Sequence, residues 1–228
     1  MQRSFSIEGQ GSIGTLNVFP PFDVSDGNWA IALKQLTTYN RIPNIEKGIN
    51  DSFVYGSSND TIEVPEGAYE IEDIERVLKE RLGPGVKFSL KANNNTIKCE
   101  LQCSEPVNFD RDHTLGPLLG FSRKILKPNV KHESDLPVNI VSVDVIRVEC
   151  NVSRGSFSRG GEGHIIHEFY PLVAPGFKIV ESPPNLLYLP LNCQSISNIT
   201  ISLRDQNGKL LNLKTEPLTV HLEIKKIA

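Results

Sequence analysis

Long apolar runs are missing from this chain of 228 residues. None reaches the ~20 residues that a membrane helix needs, so no membrane span is expected. A basic excess is missing too: 24 Lys and Arg stand against 27 Asp and Glu, for a formal net charge of −3. That balance argues against a sequence-independent grip on a nucleic-acid backbone. No direct, sequence-specific nucleic-acid binding is expected either. The opening residues, Met1-Gln2-Arg3-Ser4-Phe5, hold no apolar stretch of the kind a secretory signal carries. The expectation is a chain that stays inside the cell. The four cysteines, Cys99, Cys103, Cys150 and Cys193, form no CxxC pair, which points to reduced, buried thiols. The N-x-S/T sequons at Asn50, Asn59, Asn94, Asn151 and Asn198 are then idle and reflect turn-rich composition. Tryptophan occurs once, at Trp29, which leaves few aromatic platforms for sugar stacking.

Catalytic motifs are absent in the same way. There is no GxSxG elbow, no P-loop and no Cys/His/Asn arrangement. The most tempting cluster is His164-Ile165-Ile166-His167-Glu168. On a helix, His164 and His167 would share a metal; on a strand, i and i+3 face opposite sides, and this segment reads as a strand. Structural or surface histidines are the expected reading. Cys99 and Cys103, at i and i+4 of a strand, face one side but have no histidine near them in sequence, so a buried-thiol role is expected. Gly155, Gly160, Gly161 and Gly163 follow a strand but precede another strand, so no helix N-terminus is there to hold phosphate. Residues 154–163 read as a flexible loop, with Arg154 and Arg159 available to a partner and no acid before Glu162. No catalytic, cofactor-binding or metal-ligating residue is expected, no cofactor is implied, and the chain is read as a non-enzyme.

What the chain does have is strand pattern, densest over 138–228. Leu218, Val220, Leu222 and Ile224 alternate with Thr219, His221, Glu223 and Lys225, the period of a strand with one buried face. Ile199, Ile201 and Leu203 alternate likewise. Asp205-Gln206-Asn207-Gly208 is a turn, after which Leu211 and Leu213 resume the alternation. Ile146–Cys150, Ile165–Tyr170 and Leu186–Leu191 read as further strands between Gly and Pro clusters. Short strands at this spacing predict an all-β sandwich or barrel.

The first half is less regular. Phe5 and Ile7 mark a short strand, 9–14 a flexible loop, and Leu16 to Phe19 a strand stopped by Pro20-Pro21. Residues 29–39 are ambiguous between helix and strand; the Asn28 start and the Thr37-Thr38-Tyr39 ending tilt the reading to strand. Residues 52–55 and 61–64 are short strands around a turn. Then the period changes: Ile71, Ile74, Leu78 and Leu82 form one stripe of an amphipathic helix, with Gly83-Pro84-Gly85 as its stop. A hairpin follows, 86–90 and 97–101 around Asn93-Asn94-Asn95, which Val107 and Phe109 extend. Residues 127–137, polar with two prolines, read as a connector. The expected organisation is a jelly-roll β-sandwich from 1–60 and 132–228, with 61–131 a small β-α-β-β insertion or adjoining domain.

Several ordered segments resemble the minor capsid (penton) protein of Polinton, or Maverick, elements, large virus-like DNA transposons of eukaryotes. They are Ser134-Asp135-Leu136-Pro137-Val138-Asn139-Ile140, Ile146-Arg147-Val148-Glu149-Cys150-Asn151-Val152, His167-Glu168-Phe169-Tyr170-Pro171 and Pro175-Gly176-Phe177-Lys178-Ile179-Val180-Glu181. Tyr188-Leu189-Pro190-Leu191, Asp205-Gln206-Asn207-Gly208 and Leu218-Thr219-Val220-His221-Leu222 complete the series. Gly116-Pro117-Leu118-Leu119-Gly120-Phe121 is similar as well. The resemblance spans residues 60–228 and leaves 1–60 unmatched.

It implies a jelly-roll of two four-stranded antiparallel sheets face to face. It also implies a homopentamer at the five-fold vertices of an icosahedral shell, with a double jelly-roll major capsid protein as partner. That partner needs far more than 228 residues, which makes this chain the minor component. The implied location is the virion, assembled inside the cell in nucleus or cytoplasm. Phe157, Phe169, Tyr170, Phe177 and Tyr188 are candidate subunit anchors, with core packing as the default for each. The 61–126 body is then a second body on the vertex or a lateral contact. Two other readings stand beside this one: a β-sandwich ligand- or receptor-binding module, and an enzyme using His164, His167 or Glu168.

Overall fold

The computed structural model describes residues 2–158 and 161–227. In chain order the first elements are β1 (Gln2–Gln10), β2 (Ile13–Asp23), β3 (Asn28–Tyr39), β4 (Ser52–Tyr55), β5 (Asp60–Glu63), α1 (Ile71–Leu82), β6 (Phe88–Asn93), β7 (Lys98–Cys103), β8 (Val107–Asn108), β9 (Ile125–Leu126) and β10 (Lys131–Pro137). The rest are β11 (Ile146–Cys150), β12 (Ser156–Ser158), β13 (Gly161–Gly163), β14 (Ile165–Phe169), β15 (Lys178–Glu181), β16 (Leu189–Pro190), β17 (Ser195–Arg204) and β18 (Pro217–Ile227). The protein is mainly β, and its fold class is the jelly-roll sandwich. It divides into two compact units, residues 1–42 with 143–228, and residues 43–142.

In the first unit, eight strands pair in the order β14-β11-β17-β2-β1-β18-β3-β15, with β16 beside β3. The two sheets expected from the resemblance are one hydrogen-bonded path. It bends where β1 meets β2, because those long strands pair only at Gly9↔Gly14 and Gln10↔Ile13. A side chain on Gly9 would press into the Ile13 carbonyl and the Gly14 backbone, so the close approach at this corner requires glycine. Beyond it the path divides into two four-stranded halves. Val148, Ile199 and Ile201 from one half and Ile31, Leu36 and Leu222 from the other share one buried core. On the open side, the outermost strands meet: His167 Nε2 of β14 lies 2.8 Å from Glu181 Oε1 of β15.

Several expectations change here. Residues 9–14 are a tight turn at Gly11 (φ 67°) between paired strands, with no flexible loop. β2 runs on through Pro20 and Pro21. Its register with β17 shifts between Asn17 and Phe22, so the prolines fall where no ladder N–H is needed. Residues 29–39 are strand, as the Thr-rich end suggested. Leu211 and Leu213 are buried but outside any strand, and of 186–191 only Leu189 and Pro190 form a strand, with Leu191 in a single bridge to Ser153. Residues 156–158 and 161–163 form a two-stranded ribbon where a flexible loop was expected. Arg159 and Gly160, and the Glu162 side chain, lie outside the described residues.

In the second unit, α1 forms where its stripe predicts, and Ile71, Ile74, Leu78 and Leu82 are all buried. Gly83, at φ 76°, ends it with its N–H on Lys79 O at 3.3 Å. The helix lies beside the hairpin β6–β7. A third strand joins that hairpin: β10 pairs with β7, so 131–137 is an edge strand instead of a connector. Its polar sequence hid it, because only one side is covered. Ser134 is the buried residue, its hydroxyl accepting the Cys99 N–H at 3.0 Å. β8 does not extend the hairpin; it pairs with β4 and β9 in a separate four-stranded sheet, β5-β4-β8-β9. Because β4 pairs with β5 and β10 with β7, this unit takes in 43–60 and 132–142 as well as 61–131.

Candidate assembly surface

Each residue of the histidine cluster has a separate partner. His164 Nδ1 lies 2.6 Å from Ser153 O, His167 bonds Glu181 across the open side, and Glu168 Oε1 pairs with Arg147 Nε at 2.7 Å. Among the described residues, no group of three or more His, Cys, Asp or Glu is placed to hold a metal ion. Cys99 and Cys103 sit on the buried side of β7, and burial pushes the Cys99 thiol up to about 12.

The aromatic candidates separate. Phe169 is in the core. Phe157, Tyr170 and Phe177 are exposed, and three aliphatics that the sequence did not single out stand with them: Leu172, Val180 and Leu187. Leu172 is 91% and Phe177 66% exposed, values at which an apolar side chain gains nothing from the fold. Five of the six fall in 170–187, a stretch that includes the edge strand β15. The signal in sequence was punctuation: Pro171, Pro175-Gly176 and Pro183-Pro184 interrupt the alternation that would have turned these side chains inward.

The loop that presents them is held in place. Asn40, at the end of β3, donates its side-chain amide to Val173 O at 2.7 Å and its backbone N–H to Phe177 O at 2.8 Å. Gly176, at φ 87°, donates back to Asn40 O at 2.7 Å. Leu172 and Phe177 are therefore carried outward on a pinned loop. Such preorganisation lowers the ordering cost of forming a contact.

Downstream, the chain pairs with β3 as β16, and the Tyr188 side chain reaches residues of β18. The Tyr188 hydroxyl donates to Glu223 Oε1, and Lys225 Nζ stands 3.5 Å from the Tyr188 ring centroid. Glu223 alternates with core residues and reads as solvent-facing, yet it is only 6% exposed, because this segment covers it. The bond to Glu223, then burial, then the carboxylate charge, push the Tyr188 phenol up to about 12. The folded value lies above the ordinary 10.0, so its stabilising effect is complete below pH 10 and is lost as pH rises through about 12. Absorbance titration at 295 nm is expected to show a tyrosine step near pH 12. Tyr188→Phe removes that step, and Glu223→Gln moves it earlier. A titration unchanged by either substitution contradicts the assignment.

The geometry defines a class: a jelly-roll chain with a second α/β unit and a rigidly presented apolar surface beside one sheet edge. No protein-family model matches the chain, and no curated protein matches it in sequence. Among solved structures it is similar over its full length to the mavirus penton protein, with a TM-score of 0.52, 13% identity and 99% of both chains covered. It is also similar to a chain in the cryo-EM structure of the Sputnik virophage, at TM-score 0.48 and 13% identity, covering 99% of this chain and 98% of that one. The mavirus likeness is one of fold, and it agrees with the penton resemblance read from the sequence.

Proposed function

We propose that this chain is a structural capsid protein, a penton that closes the five-fold vertices of an icosahedral shell as a homopentamer. The observation that carries the reading is the full-length likeness to the mavirus penton protein, which spans both units at 99% of each chain. The exposed, pinned run at 170–187 supports it, since a ring needs surface that the monomer leaves uncovered. A closed ring joins one face of each subunit to a different face of the next. The first unit serves as the jelly-roll module and the second as an inserted module. The shell partner is a double jelly-roll major capsid protein, and the working location is the virion, after assembly inside the cell. The role is structural, without catalysis. The ligand-binding alternative loses its best sugar platform, because Trp29 is buried with its indole N–H on Asp26 Oδ1 at 2.8 Å.

Light scattering on the purified full chain, with negative-stain images of the same peak, tests the reading. Five times the monomer mass and a five-fold ring are expected. A monomer at high concentration that also fails to bind the major capsid protein overturns it.

A further inference from the structure

A pocket of about 320 Å³ opens on the surface of the first unit, and only Ser182 of its lining belongs to the 170–187 run. It is lined by Ser4 of β1, Lys34 and Gln35 of β3, His221 of β18, and Ser182 just after β15. Three adjacent strands and the residue following a fourth thus converge on one space.

Its construction depends on a local irregularity. Leu222 pairs with Leu33 and His221 with Gln35, so Lys34 is an extra residue, a bulge in β3. In a regular strand consecutive side chains point to opposite faces; here the consecutive Lys34 and Gln35 line the same cavity, while Leu33 and Leu36 on either side are buried in the core. Bulges re-aim side chains in this way, and they recur beside functional sites. The residue re-aimed is the cation.

The lining is one-sided in charge. Lys34 offers an ammonium, His221 an imidazole that carries charge when protonated, Ser4 and Ser182 hydroxyls, and Gln35 an amide. No carboxylate lines the space, and neither Lys34 nor His221 makes an ion pair among the described residues. Of the acids near in sequence or register, Glu181 is held by His167 and Glu223 by Tyr188, while Glu8, opposite Thr219, does not line the space. In a chain of net charge −3, a cavity with two basic groups and no acid is a local reversal.

We infer that this cavity binds a phosphate group, free or carried as a monoester on a larger molecule. Lys34 supplies the charge, His221 a ring N–H, and Ser4, Gln35 and Ser182 the other hydrogen bonds. The preference for phosphate over carboxylate follows from the donors. A lysine ammonium is a compact point charge with rotatable N–H groups, which suits a tetrahedral oxyanion; a planar carboxylate is matched by an arginine fork, and no arginine lines the space. The inference is independent of the capsid reading.

Calorimetric titration of the full chain with inorganic phosphate, glycerol phosphate and acetate tests it. Saturable binding of phosphate is expected at millimolar concentration or below, with acetate at least about tenfold weaker. Lys34→Gln should weaken phosphate about tenfold or more, His221→Gln by a smaller factor, and Lys34→Arg should retain most of it. Lys34 is exposed, so the variants are expected to fold, and a thermal melt of each checks this. Tighter binding of glycerol phosphate than of inorganic phosphate identifies a carried monoester as the ligand; equal binding identifies the free ion. No saturation by about 50 mM phosphate, equal binding by Lys34→Gln, or acetate binding as tightly as phosphate overturns the inference.

Discussion

Leu172→Asp combined with Phe177→Asp is expected to abolish self-assembly and leave a folded monomer. Both side chains are exposed, so their loss removes nothing from the core, and the melting of the monomer should shift little. In a subunit contact the same side chains become desolvated anchors. Fully burying a Leu or Phe contributes roughly 1.5–3 kcal/mol, and a carboxylate in its place adds an uncompensated charge. Together the two substitutions should cost about 5 kcal/mol per contact, which is several thousand-fold in affinity. Sedimentation or light scattering reads the mass, and circular dichroism the fold. An oligomer that persists unchanged would remove 170–187 from the interface. Asn40→Ala should act in the same direction more weakly, because it unpins the loop without altering the anchors.

Phe53→Ala should destabilise the second unit by about 4 kcal/mol, within the usual range for a fully buried phenylalanine. Phe53 is 0% exposed and stands at the centre of an aromatic cluster. Its ring centroid lies 5.5 Å from Phe88, 6.2 Å from Phe109 and 6.3 Å from Tyr55. Phe109 in turn stacks on Phe121 at 5.2 Å. Truncation leaves a cavity and removes three ring contacts together. The two units have separate cores with no residue in common. Hydrogen exchange is therefore expected to lose protection in β6 and β7 and to retain it in β17 and β18. A uniform loss across both units would show that they unfold as one. Phe53→Leu, which keeps most of the volume, should cost about 1.5 kcal/mol or less.

The sequence was readable wherever a residue's fate depends on its near neighbours. The stripe Ile71, Ile74, Leu78 and Leu82 predicts α1, and the alternation from Leu218 to Ile224 predicts β18, because periods of 3.6 and 2 are set by backbone geometry within a few residues. Turns announced themselves too: Asp205 Oδ1 accepts the N–H of Asn207 and of Lys209, both at 2.8 Å, as an Asx turn should. Strand partners did not. β10 looks like a polar connector until β7 lies beside it, and the short β8 joins β4 in place of the hairpin.

The candidate sites lay further from view. Phe169 and Phe177 are the same residue type eight positions apart; one is in the core and one is exposed, and only the path of the chain around Asn40 separates them. Glu223 keeps a solvent-facing place in its strand and is covered by Tyr188 from a segment 35 residues away. Lys34 is aimed by a bulge that exists only in register with β18. By itself the sequence determined the β class, the helix, the turns and the lack of catalytic motifs, since each is written in local spacing. Tertiary structure alone decided the bent sheet, the extent of the second unit, the exposed apolar run and the basic cavity, because each depends on which distant strand or loop comes to lie alongside, and no local period encodes that.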